Sequence, residues 1–152
     1  HNADSLAFVL GEYPSEVTAM VSNTGMAQGM EDHALSLWRF ASGLIATTHQ
    51  GFSTPHARTG LEIHGTNGSL HGEGVVHQAP GGRLSLKRAD GERDLPLDAH
   101  NLYERCLGEF HKAVRGEPHD MATGESGLRS LAVALAVLES ARLGRSVAVS
   151  AA

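Results

Sequence analysis

Residues 34–52 read ALSLWRFASGLIATTHQGF, two runs of apolar and β-branched residues on either side of a short polar break. Residues 34–40 and 44–52 flank Ala41-Ser42-Gly43, and strand-like runs joined by a few residues that include glycine are typical of a β-hairpin. Because strand side chains alternate between two faces, the apolar face of such a hairpin has to be covered by another layer. The stretch therefore predicts part of an antiparallel sheet with one covered face.

The same alternation predicts further strands on both sides of this hairpin. Upstream, residues 16–22 alternate Val17, Ala19 and Val21 with other side chains. Downstream, the predicted strands are residues 59–64, 69–71, 75–78 and 84–88, with turns at Thr66-Asn67-Gly68, Pro80-Gly81-Gly82 and Asp90-Gly91, and residues 146–150 add a short strand at the sheet edge. Together these runs predict an antiparallel meander of six or more short strands.

Three segments have the periodicity and the end signals of helices. The chain opens inside one that Gly11 ends, and a second begins at Asn101, whose spacing to Glu104 resembles a capping box. The third helix is predicted over residues 123–143 and is followed by Gly144. Its apolar stretch predicts that it is the most buried of the three.

The pattern predicts an α+β fold, a large, mostly antiparallel open sheet of six or more strands with helices packed on one face. We expect a single domain that spans residues 1–152. The opposite face is predicted to carry Trp38, Phe40, Ile45 and Thr47, which is more apolar than a solvated face needs to be. The most direct covering is a partner subunit, so a homodimer or a larger homo-oligomer is expected.

Composition excludes several classes of protein. Hydrophobic residues make up 41% of the 152 residues, too many for a disordered chain. A net charge of −5 argues against a nucleic-acid partner. The single cysteine, Cys106, excludes an internal disulfide, and the longest aliphatic run, residues 131–138, is too short to cross a bilayer. The sequence therefore predicts a cytoplasmic globular domain with no membrane partner.

Most motifs that carry chemistry are missing. Of the ten histidines, His64, His71 and His77 lie on or beside neighbouring predicted strands, but no H-E-x-x-H motif or cysteine cluster accompanies them. We therefore predict no metal site. There is no G-x-S-x-G nucleophile motif, and Gly72-Glu-Gly74 lacks the third glycine and the following helix of a dinucleotide fingerprint.

Several short fragments occur in a specific order along almost the whole chain. The first are His1-x-x-Asp4, Leu6-x-x-Val9-Leu10-Gly11-Glu12, Pro14-x-x-Val17, Glu31-Asp32-x-Ala34 and Phe40-Ala-Ser-Gly43. The later ones are Ile63-His-Gly65-Thr-x-Gly68-Ser-Leu70, Tyr103-Glu-x-x-x-x-x-Phe110, Ala113-Val-Arg-Gly116-x-Pro118 and Ala136-Val-x-Glu139-Ser140-Ala-x-x-Gly144-x-x-Val147. This order resembles the carboxy-terminal domain of the glucose–fructose oxidoreductase, inositol dehydrogenase and MocA (Gfo/Idh/MocA) family.

The resemblance implies a role for particular residues. Family members join a Rossmann domain that binds NAD or NADP to a second domain that supplies the substrate pocket and, through its open sheet, the oligomer interface. His1 corresponds to the catalytic histidine of the family's D-x-x-x-H-x-x-D signature, and Asp4 to its last aspartate, which binds substrate. His56 and Arg58 precede a strand where relatives often place a substrate-contacting side chain. The first aspartate, the lysine of the Glu-Lys-Pro motif and the Rossmann domain are not in this chain.

By this resemblance, the chain is expected to be the substrate-binding and oligomerisation domain of an NAD(P)-dependent sugar or polyol dehydrogenase. NAD or NADP would be bound mainly by the missing domain, so the isolated chain is expected to bind none and to be inactive. A second function stays open, a non-catalytic ligand-binding or assembly module with an exposed sheet. The reading frame before residue 1 discriminates between them, because a Rossmann fingerprint and a Lys-Pro pair there would indicate the enzyme.

Overall fold

The computed structural model describes residues 1–26, 28–76 and 81–150, which contain three helices and eight strands. The helices are α1 (Asn2–Leu10), α2 (Leu102–Val114) and α3 (Gly124–Leu143). The strands are β1 (Pro14–Ser22), β2 (His33–Phe40), β3 (Ile45–Gly51), β4 (Gly60–Gly65), β5 (Gly68–Glu73), β6 (Arg83–Arg88), β7 (Gly91–Leu95) and β8 (Val147–Ala148). The predicted α+β class with antiparallel strands is confirmed.

The strands are divided between two four-stranded sheets instead of lying in one sheet of six or more. The first sheet has the order β3-β2-β1-β8 and belongs to a compact unit of residues 1–55 and 122–152. The second has the order β4-β5-β6-β7 and belongs to a unit of residues 56–121. Residues 52–59, which include Pro55, join β3 to β4 without strand structure. A proline lacks the N–H that a strand ladder needs, so this connection interrupts the meander.

The first unit has a core between its sheet and the helices α1 and α3. The buried core residues are Ala3, Val17, Trp38, Phe40, Val133 and Ala136. β1 and β2 pair Val17 with Trp38 and Ala19 with Ser36, so these four side chains share one face of the sheet. That face is the one that α3 covers, because Val133 and Ala136 of α3 belong to the same cluster.

The prediction that Trp38 and Phe40 lie on the open face is wrong. Both are buried in this core, 5% and 1% exposed, because the register places Trp38 beside Val17 on one strand and Ala46 on the other. The indole N–H of Trp38 donates to Ser36 Oγ at 2.8 Å, which satisfies its one polar group. Ile45 pairs with Arg39 on the opposite face and is 62% exposed, as predicted.

The predicted ends of the helices agree with the structure. Gly11 and Gly144 end α1 and α3 with φ of 75° and 64°, left-handed values that a glycine adopts without a Cβ clash. The Asn101 side chain accepts hydrogen bonds from the first turn of α2, and Thr123 forms a capping box with Ser126 at the start of α3. In the described part of the chain, no helix is both long and apolar enough to cross a membrane.

α3 is the most buried of the three helices, as predicted, although only one side of it is buried. α3 does bury Val133, Ala136 and Ser140, but Leu131 and Leu135 on its other side are more than half exposed. α2 buries no residue at all, although its sequence is strongly amphipathic. The apolar stretch at residues 131–138 therefore does form a helix, as predicted. Only the side of this helix that packs against the sheet is buried.

The second sheet differs from the prediction in two places, at the predicted strand of residues 75–78 and at β7. Residues 75–76 form a turn after β5, and residues 77–80, with His77 and Pro80, lie outside the described residues. β7 was missed because Gly91-Glu-Arg-Asp-Leu95 has one apolar residue. It is held to β6 by the ladder and by an ion pair of 2.8 Å between Arg83 and Asp94.

We predict that Ser140→Ala lowers the free energy of unfolding by about 1–3 kcal/mol, the usual cost of unsatisfied buried polar groups. Ser140 is fully buried, accepts from the Ala19 N–H at 2.9 Å and donates to the Arg145 carbonyl at 2.7 Å. Ser130→Ala is the matched control on the same helix, because the buried Ser130 Oγ has no partner among the described residues. Urea unfolding measures both. An equal loss in the two variants would contradict this account of Ser140.

Candidate functional site

His1 and Asp4 lie on one exposed face at the start of α1. His1 is the N-cap residue and its side chain makes no capping hydrogen bond, while Asp4 lies in the first helical turn. Residues three apart are neighbours on a helix surface, so the imidazole and the carboxylate emerge side by side. Ala3, Leu6 and Leu10 of the same helix face the core, which turns His1 and Asp4 away from it.

This pair has the chemistry of a proton-transfer and hydroxyl-binding site. An imidazole can accept a proton near neutral pH, and an ionised carboxylate can accept hydrogen bonds from two hydroxyls. The positive end of the helix dipole also favours a carboxylate in the first turn, so Asp4 has a structural role as well. Both side chains are solvent-accessible in this unit, as a substrate-contacting pair has to be.

Phe8 lies on the same face as Asp4 and was not predicted as a site residue. It follows Asp4 by one helical turn and is 72% exposed, unusual for a phenylalanine. The spacing of four residues from Asp4, on the side opposite Leu6 and Leu10, was the signal in the sequence. The exposed face of α1 thus combines His1, Asp4 and an aromatic ring.

His56 and Arg58 lie in the second unit, in the segment that leads into β4. Both are exposed. The Arg58 guanidinium donates to the Glu73 carboxylate at 2.6 Å, so it is held by an ion pair at the end of β5. Exposed ion pairs contribute about 0–1 kcal/mol, so an anionic or hydroxyl-rich ligand could replace Glu73 at little cost. The structure brings Arg58 to Glu73, and no polar partner of His56 is described.

His64 of β4 and His71 of β5 are diagonal neighbours, and His71 pairs with Glu62. The Glu62 carboxylate is 3.4 Å from His64 Nε2 and 3.7 Å from His71 Nδ1, and the two imidazole centroids are 5.6 Å apart. His77, the third histidine considered in the sequence, lies outside the described residues. In residues 1–26, 28–76 and 81–150, no group of three or more histidine, cysteine, aspartate or glutamate side chains has an arrangement that could hold a metal ion.

The described residues do not fit the pyrophosphate of a dinucleotide. Such a site requires a glycine-rich turn between a parallel strand and a helix, whose N–H groups point at the phosphates. Every strand pair described here is antiparallel, and α2 and α3 begin after the capping residues Asn101 and Thr123. The part of the chain that the structure describes therefore offers no strand–helix turn for the pyrophosphate.

The uncovered face of the first sheet, called here the open face, consists of the outward side chains of β1, β2 and β3. Its large apolar residues are Met20, Leu35, Leu37 and Ile45, which are 75%, 53%, 52% and 62% exposed. The register places Met20 opposite Leu35, and Leu37 between Thr18 and Thr47, so the apolar groups adjoin one another. Glu16 and Arg39 form an ion pair of 3.3 Å at one end of this face.

The sequence matches a known family model and a longer relative. The GFO/IDH/MocA C-terminal domain model matches residues 1–71. A 1,5-anhydro-D-fructose reductase from Ensifer adhaerens is 46% identical over 150 residues, which is 98% of this chain and 45% of the relative. The chain thus spans about half the length of this curated relative.

Solved structures share the fold at lower sequence identity. An aldose–aldose oxidoreductase from Caulobacter crescentus, complexed with glycerol, superposes with a TM-score of 0.84 at 20% identity over 95% of this chain and 44% of that one. An oxidoreductase from Agrobacterium radiobacter, in complex with NAD+, L-tartaric acid and magnesium, gives 0.78 at 21% identity over 98% and 47%. Residues 1–71 thus match the carboxy-terminal domain of the Gfo/Idh/MocA family, and the similarity to the reductase extends over nearly the whole chain.

Proposed function

We propose that this chain is the substrate-binding and assembly domain of an NAD(P)-dependent oxidoreductase that interconverts a sugar or polyol alcohol with the corresponding carbonyl compound. The observation that carries the proposal is the juxtaposition of His1 and Asp4 on an exposed helix face, in a chain 46% identical to a 1,5-anhydro-D-fructose reductase. The cytoplasm is its expected location. The alternative, a binding module without catalysis, does not use this juxtaposition.

His1 is proposed as the acid–base group. Oxidation of a secondary alcohol removes a hydride from carbon and a proton from oxygen, and reduction of the carbonyl returns both. NAD(P), held outside this chain, supplies the hydride acceptor or donor. The His1 imidazole takes the hydroxyl proton in oxidation and gives it back in reduction, which a group that titrates near neutral pH does efficiently.

Asp4 is proposed to bind and orient the substrate. A sugar or polyol presents several neighbouring hydroxyls, and a carboxylate accepts hydrogen bonds from two of them. Because Asp4 is one turn from His1, it can hold a hydroxyl next to the one whose proton His1 takes. In the second unit, His56 and Arg58 are proposed as hydroxyl-binding residues, with Arg58 exchanging its Glu73 contact for a hydroxyl group.

We also propose that the open face joins two copies of the chain. Four adjacent apolar side chains that are each at least half exposed are costly in water, and burying them is worth about 25 cal/mol per Å² of apolar surface. A two-fold interface needs a surface that is complementary to itself, and the open face of one copy would pack against the same face of the second copy. Stable dimers usually bury well over about 1,000 Å² in total, which a face of three strands can supply.

The cofactor part of the proposal is tested by titrating the 152-residue chain and the full-length protein with NADH and NADPH and recording nicotinamide fluorescence. We expect no saturable binding by the chain, because no described strand–helix turn fits the pyrophosphate, and no turnover of any sugar by it. The full-length protein is the positive control. Saturable binding by the chain alone at micromolar concentration would contradict the proposed division of roles.

A further inference from the structure

His33 packs closely against a glycine at one end of the open face. His33 begins β2 and pairs with Gly51 of β3. A Cβ at position 51 would lie 2.8 Å from both Cε1 and Nδ1 of His33, so the imidazole rests directly over the glycine. The Nε2 atom of His33 is also hydrogen-bonded to Ser53 Oγ. The ring is therefore held against the sheet instead of extending into solvent.

A second histidine stacks beside it. His49 of β3 has its ring centroid 6.4 Å from that of His33, with an angle of 29° between the ring planes. His49 is paired with Leu35, two residues along β2 from His33, so both imidazoles lie on the open face next to its apolar residues. The predicted dimer surface thus contains two adjacent groups that can each gain a positive charge.

The charged groups around this pair are few. Asp32 precedes His33, is 1% exposed, and accepts hydrogen bonds from the N–H groups of Thr24 and Met26 and from the Thr24 hydroxyl. Burial raises the pKa of Asp32, but these hydrogen bonds and the nearby His33 lower it by more. The pKa of Asp32 therefore lies below its usual value, and the carboxylate stays ionised. Glu31 in the same loop is exposed.

The other strands contribute no further titratable group next to the pair. On the open face, the remaining charged residues described are Glu16 and Arg39, which pair with each other at the opposite end of β1 and β2. From β1, the neighbour of His33 is Ser22, which does not titrate. Asp32 can therefore balance one imidazolium, whereas no carboxylate of β1, β2 or β3 lies beside a second charge on this pair.

We infer that the stacked pair of His33 and His49 makes association through the open face depend on pH, with the dimer favoured when the imidazoles are neutral. This inference rests on the proposed assembly. Burial in a dimer removes water from the rings and penalises their charged forms, and two stacked imidazolium ions repel each other. The dimer therefore binds fewer protons than two monomers, and a fall in pH shifts the equilibrium to the monomer.

The test is the dimer dissociation constant of the 152-residue chain, measured by analytical ultracentrifugation at about pH 8 and about pH 5.5, the range over which histidine gains its charge. We expect the constant to rise at least about tenfold at the lower pH, the effect of a pKa shift of about one unit. The His33→Asn/His49→Gln double variant should dimerise at both pH values with little change between them.

His64→Gln, in the second sheet, is the matched histidine control and should retain the full pH dependence. Three results would overturn the inference. A wild-type dimer that is equally tight at both pH values would refute the switch while leaving the proposed assembly standing. A double variant that keeps the wild-type pH dependence would refute it too. A chain that is monomeric at both pH values would overturn the proposed assembly along with it.

Discussion

In the full-length protein, replacing His1 with alanine is expected to lower kcat by about 10²–10⁴-fold, the usual contribution of a positioned acid–base group. His1 starts α1 on the face opposite the core and has no structural hydrogen bond from its side chain, so the substitution should leave the fold intact. Steady-state kinetics across pH measures the effect. The limb of the kcat profile that reports the histidine should disappear in the variant.

Two further variants serve as a control and as a test of substrate binding. The control, His111→Ala, removes an exposed histidine from the last turn of α2 and should leave kcat and KM near their wild-type values. Asp4→Ala should chiefly raise KM, because a carboxylate that binds spectator hydroxyls does so in the ground state and the transition state alike. Unchanged kinetics in both His1→Ala and Asp4→Ala would remove these residues from the site.

Leu37→Arg should convert the 152-residue chain from a dimer to a monomer. Leu37 is 52% exposed in the middle of the open face, between Thr18 and Thr47, and each dimer would bury two unpaired arginines at this position. Loss of about 3 kcal/mol at an interface hot spot corresponds to at least about 100-fold in the dissociation constant. Light scattering measures the change in mass, and circular dichroism should show an unchanged helical signal.

An arginine substitution tests the interface only at a position that is exposed in the monomer. Trp38→Arg would not test the interface, because Trp38 is 5% exposed and a buried arginine there would unfold the unit. Leu107→Arg is a suitable control, since Leu107 is similarly exposed, at 59%, but lies on α2. A wild-type chain that scatters as a 16.0 kDa monomer at high micromolar concentration would exclude the open face as an interface.

Local signals in the sequence predicted the elements better than their packing. Gly11, Gly144 and the capping residues of α2 and α3 marked the helix ends correctly, because a cap depends on a few neighbouring residues. The face of Trp38 depended instead on strand register, since Ser36 and Trp38 fall on the core side only when β2 pairs with Val17 and Ala19. Register is a long-range property that alternation within a single strand does not reveal.

The candidate site shows the same limit. His1 and Asp4 could be placed on one face from their spacing alone, because His1 is the N-cap residue and Asp4 lies in the first turn of the same helix. The pairing of Arg58 with Glu73 joins residues 15 positions apart and follows from the register of β4 and β5, which places Gly60 opposite Glu73. The sequence predicted an open face with Trp38, Phe40, Ile45 and Thr47, of which only Ile45 and Thr47 lie on it. Met20, Leu35 and Leu37 were assigned to it only by the register.

The central claim, that this chain is the substrate-binding half of a sugar or polyol oxidoreductase, is tested most directly by cofactor-linked turnover. The full-length protein is assayed with NADH and NADPH against 1,5-anhydro-D-fructose and other keto sugars, and with NAD and NADP against polyols. We expect the full-length protein to oxidise NADH or NADPH in a substrate-dependent reaction, or to reduce NAD or NADP with a polyol, and we expect neither reaction with the 152-residue chain alone. A folded full-length protein that turns over no member of either substrate class would contradict it.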